Sequence, residues 1–261
     1  MSVDLDFGLI VHSGLEVYWR CRAEGKSHTD AQEDTVRIIL TLHWQWKTSH
    51  TAKNLWNALR SIVWHTESFQ EDNILRIGDT LAVELPFKYD LGFSVGKSPA
   101  AYCGHMDRVE NDNVEQTWVK DYKTTKSALD FNYFAGYTPS TQLPGYRVAA
   151  EIVLHRPIAG VIVDAIQVGV NFTRFAKGHI FLSEASQDEW MKDAVYHIKT
   201  ATSVMASNDA LDPLRVPRNT ESCFGCQFRS VCSLPPSIRL GTLESVYERK
   251  YWDPILRKEA E

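Results

Sequence analysis

The chain has 261 residues, with 44% apolar and 23% charged side chains, a balance that excludes a disordered or fibrous protein. A net charge of −5 and a pI near 6.0 exclude a protein that coats nucleic acid through bulk positive charge, but not an enzyme with a local basic groove. No apolar run approaches the roughly eighteen residues that span a bilayer, and the amino terminus lacks a secretion signal. We therefore expect a cytoplasmic protein that contacts no membrane.

The first third of the chain is predicted to be helical. Three segments carry apolar side chains at helical spacing: residues 8–24, 31–46 and 52–70. Three stretches rich in β-forming residues follow, at 80–91, 101–110 and 116–125. Residues 139–155 then predict a helix, 160–170 an inner strand, and 186–207 a helix with Ser186 and Glu189 at capping-box spacing. This order predicts an α/β sandwich with a mixed central sheet flanked by helices.

Two carboxylates and a lysine lie on two of these strands. Asp107 is placed at the end of one strand, and Asp121 and Lys123 share side-chain parity on the next, so all three are expected on one face of the sheet. Carboxylates held together repel each other unless a divalent cation neutralises them, and oxygen ligands suit Mg²⁺ or Mn²⁺. The lysine would orient or deprotonate a water, or stabilise charge at phosphorus. The pattern predicts a hydrolytic phosphodiester site, with an ordinary cross-strand salt bridge as the alternative.

The segments GHMDRV and DYKTT, within residues 104–125, closely resemble motifs II and III of the PD-(D/E)xK nuclease superfamily. The resemblance is to the branch with the RecB nuclease domain, the CRISPR-associated adaptation nucleases and phage-type exonucleases. That branch also carries a Q-x-x-x-Y motif, matched here by Gln142 and Tyr146, and an early G-x-x-x-H motif, matched by Gly8 and His12. The resemblance implies a restriction-endonuclease-like core in a single nuclease domain over 1–261. Its parts are a helical region over 1–73, a core over 74–207 and a cysteine segment over 215–240.

The resemblance also assigns roles to matching residues. The implied catalytic residues are Glu84, Asp107, Asp121, Lys123, Gln142 and Tyr146, and the implied ligands of Mg²⁺ or Mn²⁺ are His12, Asp107 and Asp121. In these roles Lys123 assists the nucleophile, while Gln142 and Tyr146 contact the DNA backbone or brace the lysine. Glu84 matches an acidic residue often found on the first strand of this branch.

Several of these residues also have simpler explanations. A single histidine on a helix, such as His12, is often a packed or surface residue, and Glu84 is equally explained as a solvent-side strand residue. Gln142 and Tyr146 share a helical face at i, i+4 spacing, which arises often by chance. Pro144 between them departs from a regular helix.

Three cysteines crowd into ten residues at the C-x2-C-x5-C spacing: Cys223, Cys226 and Cys232. In a reducing compartment this spacing predicts a metal site, and both Zn²⁺ and a [4Fe–4S] cluster require four ligands. Relatives in this branch complete a [4Fe–4S] cluster with a distant amino-terminal cysteine, so the resemblance favours iron–sulfur over Zn²⁺. No cysteine precedes His12, which implies a shortened amino terminus or a substitute. Cys21 is the favoured substitute and Cys103 the second, and the alternative for both is a buried thiol.

Aromatic and basic residues supply further candidates. Helical spacing predicts core packing for most of the grouped tryptophans, with base stacking as the alternative: Trp44, Trp46, Trp56 and Trp64. Arg174 and Lys177 follow the inner strand and are interpreted as exposed loop residues, with phosphate contact as the alternative. No G-x-x-x-x-G-K-[ST] loop is present, so no ATP motor is expected in this chain.

We expect a divalent-metal-dependent deoxyribonuclease that cleaves phosphodiester bonds in single-stranded or end-bearing DNA. The resemblance places it in recombination, repair or phage genome processing, with DNA and a helicase or recombination protein as partners. One alternative is a non-catalytic DNA-binding or scaffold module that is stabilised by its metal cluster and retains degenerate nuclease motifs. Another is a redox carrier built around the cluster.

Overall fold

The computed structural model describes residues 2–70, 73–95, 97–138, 140–205, 223, 226–249 and 255. Three helices form the amino-terminal part: α1 (Val3–Ala23), α2 (His28–His43) and α3 (Leu55–Ser68). The caps of two of them explain their start points, since Ser27 accepts the N–H of Asp30 and Asn54 accepts that of Asn57. Each of these helices begins within five residues of its predicted start.

A short hairpin of β1 (Arg76–Ile77) and β2 (Thr80–Leu81) precedes the main sheet. The main sheet contains, in spatial order, β3 (Val83–Val95), β4 (Ser98–Asn111), β5 (Thr117–Thr125), β6 (Gly160–Val168) and β7 (Thr173–Phe181). β5 and β6 are parallel and the other neighbours antiparallel. The predicted mixed sheet is therefore confirmed.

The second helical layer includes the crossover between β5 and β6. It contains α4 (Phe131–Ala135), α5 (Gln142–Leu154) and α6 (Glu184–Met205), and α7 (Arg229–Cys232) and α8 (Pro236–Val246) follow. α1, α2 and α3 pack with Tyr122 and Ile166 on one face of the sheet, while α5 packs with Val119 and Val163 on the other. None of the described helices combines the length and apolar character needed to cross a bilayer.

Several local predictions were wrong. Arg174 and Lys177, interpreted as loop residues, lie on the edge strand β7. Asp107 lies inside β4, not at its end. The helix predicted from residue 186 starts at Glu184, and the N–H of Ser186 donates to Ser183 Oγ at 3.2 Å. Ser183 thus occupies the capping position predicted for Ser186. Residues 206–207 of that prediction lie outside the described part of the chain.

The core packing predicted for the tryptophans was also wrong for three of the four. Trp44, Trp56 and Trp64 are 65%, 66% and 45% exposed, whereas Trp46 packs partly against the helical core. The buried face of α3 is formed instead by aliphatic side chains such as Leu59 and Ile62. These aromatic rings therefore form part of the molecular surface.

Candidate active site

Three acidic side chains lie in a row across neighbouring strands. The register of β3 with β4 places Glu84 opposite Asp107, and continuing the β4–β5 register by one pair places Asp121 on the other side of Asp107. The three residues are 7%, 8% and 1% exposed, in chain order. Buried carboxylates at this spacing require compensating positive charge.

The strands separate where these acids lie. The paired residues of β4 and β5 end at Arg108 and Lys120. At the residue before Arg108, the side chain takes over from the backbone: Asp107 Oδ2 accepts the N–H of Tyr122 at 2.7 Å, as a strand carbonyl would. β5 stays paired with β6 as far as Thr125. The separation opens a gap between β4 and β5 that side chains from the helices enter.

α1 brings His12 to this gap. Its Nε2 lies 2.8 Å from the carbonyl oxygen of Tyr122, and its Nδ1 lies 3.4 Å from Asp107 Oδ2. With Nε2–H donating to the carbonyl, Nδ1 is the ring atom that faces the acids. Burial disfavours the charged ring, but Asp107, Glu84 and Asp121 outweigh burial and raise the pKa of His12 to about 9. The His12 ring is therefore protonated at neutral pH, because the three acids beside it stabilise its positive charge.

The same residues form a candidate metal site. His12, Glu84 and Asp107 each offer a ligand atom, and these atoms lie within 4.8 Å of one another. Glu84 has a φ of 48°, a left-handed conformation that is unusual for a non-glycine residue and that concentrates at functional sites. The two carboxylates are oxygen ligands of the kind that Mg²⁺ and Mn²⁺ take, and the imidazole is a common ligand of first-row metal ions. The donor set therefore fits a hard divalent cation.

Asp121 and Lys123 form the other half of the site. Lys123 Nζ lies 2.9 Å from Asp121 Oδ1 and 2.8 Å from Oδ2. Burial and the charge of Asp107 raise the pKa of Asp121 to about 6, although Lys123 opposes this shift. The lysine side chain is 27% exposed, so its ammonium group lies at the boundary between the buried acids and solvent.

α5 extends the network from Lys123. The ammonium donates to Gln142 Oε1 at 3.1 Å, and Gln142 Nε2 donates to the Tyr146 hydroxyl at 2.8 Å. Pro144 is the third residue of α5, where its missing N–H would have no partner within the helix. The proline thus leaves the spacing of Gln142 and Tyr146 helical.

Gly145 sets how closely α5 approaches its neighbours. A Cβ at this position would lie 2.6 Å from the Tyr102 hydroxyl and 2.7 Å from the Trp190 ring. Trp190 of α6 also donates its Nε1–H to the Thr141 carbonyl at 2.6 Å, just before α5. The absence of a side chain at Gly145 therefore keeps Gln142 and Tyr146 within reach of the sheet.

Two tyrosines near the site were not anticipated. Tyr133 of α4 lies 3.0 Å from Tyr137, hydroxyl to hydroxyl. Burial, Tyr137 and Asp121 raise the pKa of Tyr133, which places its ring in the electrostatic environment of the acids. The only sequence signal is the aromatic stretch FNYFAGY soon after DYKTT.

The described cysteines lie in different environments. Cys226 and Cys232 are exposed and Cys223 is partly buried. Cys21 is buried in the helical core, and its Sγ lies 3.7 Å from Lys26 Nζ. The partly buried Cys103 lies on β4. Among the described residues, the ligand group around His12 contains no cysteine and no cysteine group of this kind is found. Residues 215–222 and 224–225 of the predicted cysteine segment lie outside the described residues.

The sheet is mixed and flanked by helices, and the acids and the lysine lie together where two of its strands separate. This arrangement defines a restriction-endonuclease-like nuclease core. The chain belongs to the PD-(D/E)XK nuclease superfamily, whose family model matches residues 1–233. Membership implies a metal-dependent nuclease with DNA as its substrate.

Other comparisons add little. No curated protein matches the chain at a significant level of sequence similarity. The crystal structure of SSO0001 is similar over 85% of this chain and 84% of its own, with 14% sequence identity and a TM-score of 0.33. A likeness at that level carries no argument about function.

Proposed function

We propose that the protein is a Mg²⁺- or Mn²⁺-dependent deoxyribonuclease that hydrolyses phosphodiester bonds. The observation that carries the proposal is the buried group of His12, Glu84 and Asp107 beside the Asp121–Lys123 pair. His12 Nδ1 and the carboxylates of Glu84, Asp107 and Asp121 would hold the cation. When bound, it would polarise the scissile phosphate and lower the pKa of a water.

Lys123 has the position of the residue that assists the nucleophile. Asp121 and Gln142 fix its ammonium from two sides, and Tyr146 fixes Gln142 in turn. An ammonium held in this way can orient a water and stabilise negative charge that develops at phosphorus, without rearranging during the reaction. Gln142 and Tyr146 are therefore proposed as positioning residues for Lys123.

His12 couples metal binding to protonation. Its Nδ1 carries a proton at neutral pH, because the acids raise its pKa to about 9. That proton must leave before Nδ1 can bind a cation. The Tyr122 carbonyl keeps the ring orientation during this exchange, since its bond to Nε2 does not involve Nδ1.

By resemblance, the proposed substrate is single-stranded or end-bearing DNA. The proposed setting is recombination, repair or phage genome processing, with a helicase or recombination protein as a partner. The support for this finer assignment is the order of the four motifs containing His12, Asp107, Asp121 and Gln142.

The proposed [4Fe–4S] cluster, or Zn²⁺ in its place, rests on cysteine spacing alone. Cys223, Cys226 and Cys232 supply three thiols where either group requires four ligands, and Cys21 is buried beside Lys26. The described cysteines therefore do not fit the cluster, and no catalytic role is assigned to it. Iron, sulfide and zinc analysis of anaerobically purified protein tests the prediction.

Cleavage of labelled DNA with Mg²⁺ or Mn²⁺ tests the proposed activity. We expect Lys123→Ala and Asp121→Ala to abolish cleavage while DNA binding persists, and EDTA to abolish cleavage by the wild type. Lys192→Ala, at an exposed position on α6, is the matched control and should cleave normally. Binding without metal-dependent cleavage by the wild type would favour the scaffold alternative.

A further inference from the structure

We propose that single-stranded nucleic acid binds along a strip of cationic and aromatic side chains that leads from the active site to α3. This inference rests on the proposed function and names the path of its substrate. We call this surface the aromatic strip and define it by Lys126, Arg174, Phe172, Arg60, Trp64 and Trp56.

The strip starts just after the strand that carries Lys123. Lys126 directly follows β5, three residues after Lys123, and its side chain is exposed. Its carbonyl accepts a hydrogen bond from Gln167 Nε2 at 3.4 Å, and Gln167 pairs with Arg174 across β6 and β7. The exposed guanidinium of Arg174 lies 5.0 Å from the centre of the Phe172 ring. Contacts between neighbouring groups thus connect the site to the β6–β7 turn.

Arg60 connects this turn to α3. Its guanidinium donates to the carbonyl oxygens of Gly169, Val170 and Phe172 at 2.8, 3.1 and 2.9 Å. The same group lies 5.5 Å from the centre of the Trp64 ring. Arg60 therefore braces the turn and lies beside the exposed ring of Trp64.

The aromatic groups of the strip are unusually exposed. Trp56, Trp64 and Phe172 are 66%, 45% and 40% exposed, and Trp56 and Arg60 share one face of α3 at i, i+4 spacing. Contiguous exposed apolar surface rimmed by polar groups marks interaction sites. Exposed rings beside cations suit unpaired bases, which stack on the rings while the cations contact phosphate.

The charge of the strip favours an anionic partner such as nucleic acid. Three of the six strip residues are cationic and none is acidic, in a chain with 33 acidic residues and a net charge of −5. Asp4, whose carboxylate interacts with Lys126, is itself paired with Lys53. The strip is thus locally basic on an acidic molecule. Phosphate would be attracted to these cations.

The test is binding of fluorescein-labelled oligothymidylate, measured by anisotropy in EDTA so that no cleavage occurs. We expect Trp64→Ala and Phe172→Ala each to weaken binding about tenfold, with little effect on blunt duplex DNA. Phe181→Ala is the matched control for Phe172→Ala, because Phe181 lies at the other end of β7 and is 71% exposed. It should bind as the wild type does.

Arg174→Gln tests the phosphate contact. Loss of one contact to single-stranded DNA should reduce the slope of log affinity against log salt by about 0.7. Arg156→Gln is the control, because Arg156 is exposed and contacts Thr117 at the start of β5, away from the strip. An unchanged slope in Arg174→Gln, or an equal change in both variants, would contradict the proposed contact.

A ring-preserving variant and a comparison with cleavage complete the test. Trp64→Phe keeps a ring and should still bind oligothymidylate, even if Trp64→Ala folds poorly. We expect oligothymidylate to quench the tryptophan fluorescence of the wild type, and to quench that of Trp64→Phe less. Binding that is the same in the ring variants and the wild type would overturn the strip and leave the proposed nuclease standing. Ring-dependent binding by a protein that never cleaves would support the strip and reject the nuclease.

Discussion

Glu84 has a left-handed backbone conformation that is costly for a residue with a side chain. That conformation puts its carboxylate near His12, whose pKa is raised in part by Glu84. In the metal-free protein, Glu84→Gln should therefore lower the pKa of His12 below about 9, since one of the negative charges that favour the proton is removed. Titration of the His12 ring by NMR measures this shift, and an unchanged pKa would show that the carboxylate of Glu84 does not act on the ring.

Tyr146 acts on Lys123 only through Gln142 in the network described above. Tyr146→Phe removes the acceptor of the Gln142 amide N–H, so we expect kcat to fall about tenfold, by loss of one positioning hydrogen bond. KM should change little. Tyr196→Phe, at an exposed position on α6, is the control, and an equal fall in both variants would contradict the positioning role.

Much of the site could be predicted at the residue scale, because strand parity puts Asp121 and Lys123 on one face and the neighbouring strand carries Asp107. The motif spacing adds His12 and Gln142. Parity could not show that β4 and β5 separate at Asp107, because the gap depends on a side chain replacing a strand carbonyl. Helical spacing also could not show that Trp56 faces solvent, because the spacing does not tell which face of α3 packs against the core.

At the element scale, α5 approaches the sheet closely because residue 145 lacks a side chain. Gly145→Ala should destabilise the protein by about 1–3 kcal/mol through overpacking, and should reduce cleavage by moving Gln142 away from Lys123. Thermal melting and cleavage assays measure both effects.

Gly8→Ala is the matched control for that substitution. A Cβ at Gly8 would lie 3.6 Å from Thr124 Oγ1, which is ordinary contact, and alanine favours the helix by up to about 1 kcal/mol. We therefore expect Gly8→Ala to fold and cleave as well as the wild type. Similar behaviour of the two alanine variants would contradict the role assigned to Gly145.

The helices and inner strands could be predicted because their apolar patterns are strong. β7 could not, since among the described residues it is an edge strand that pairs on one side only, and Ile180 is its one buried residue. Its sequence, TRFAKGHIF, lacks the continuous apolar run that identified β6. Edge strands of this kind are stabilised by the neighbouring strand, which a local pattern does not reveal.

At the scale of the whole molecule, a buried charge network on the α1–α3 face of the sheet links helices to strands. Asp164 is fully buried and lies 3.0 Å from His65 Nε2 and 3.8 Å from Lys120 Nζ. Burial opposes ionisation of Asp164, but His65 and Lys120 outweigh burial and lower its pKa from 3.8 to about 2. The ionised carboxylate therefore stabilises the fold.

This network predicts a specific pH dependence of stability. The folded pKa of Asp164 lies below its unfolded value, so its contribution of about 2 kcal/mol is present above pH 3.8 and is lost as the pH falls towards 2. Asp164→Asn should be less stable than the wild type at neutral pH. Its free energy of unfolding should also fall less steeply between pH 3.8 and about 2. Urea unfolding at several pH values measures this, with the exposed Asp188→Asn as control. If the free energies of unfolding of the wild type and Asp164→Asn changed in parallel with pH, the ionised carboxylate of Asp164 would not be the stabilising group.

The most direct test of the central claim is a crystal soaked in Mn²⁺ and measured at the manganese absorption edge. The account predicts an anomalous peak within coordination distance, about 2.0–2.6 Å, of His12 Nδ1 and of carboxylate oxygens from Glu84 and Asp107. Asp107→Ala should lose that peak. A wild-type crystal with manganese bound only elsewhere, or with no peak beside His12, would contradict the claim that these residues form the metal centre of a nuclease.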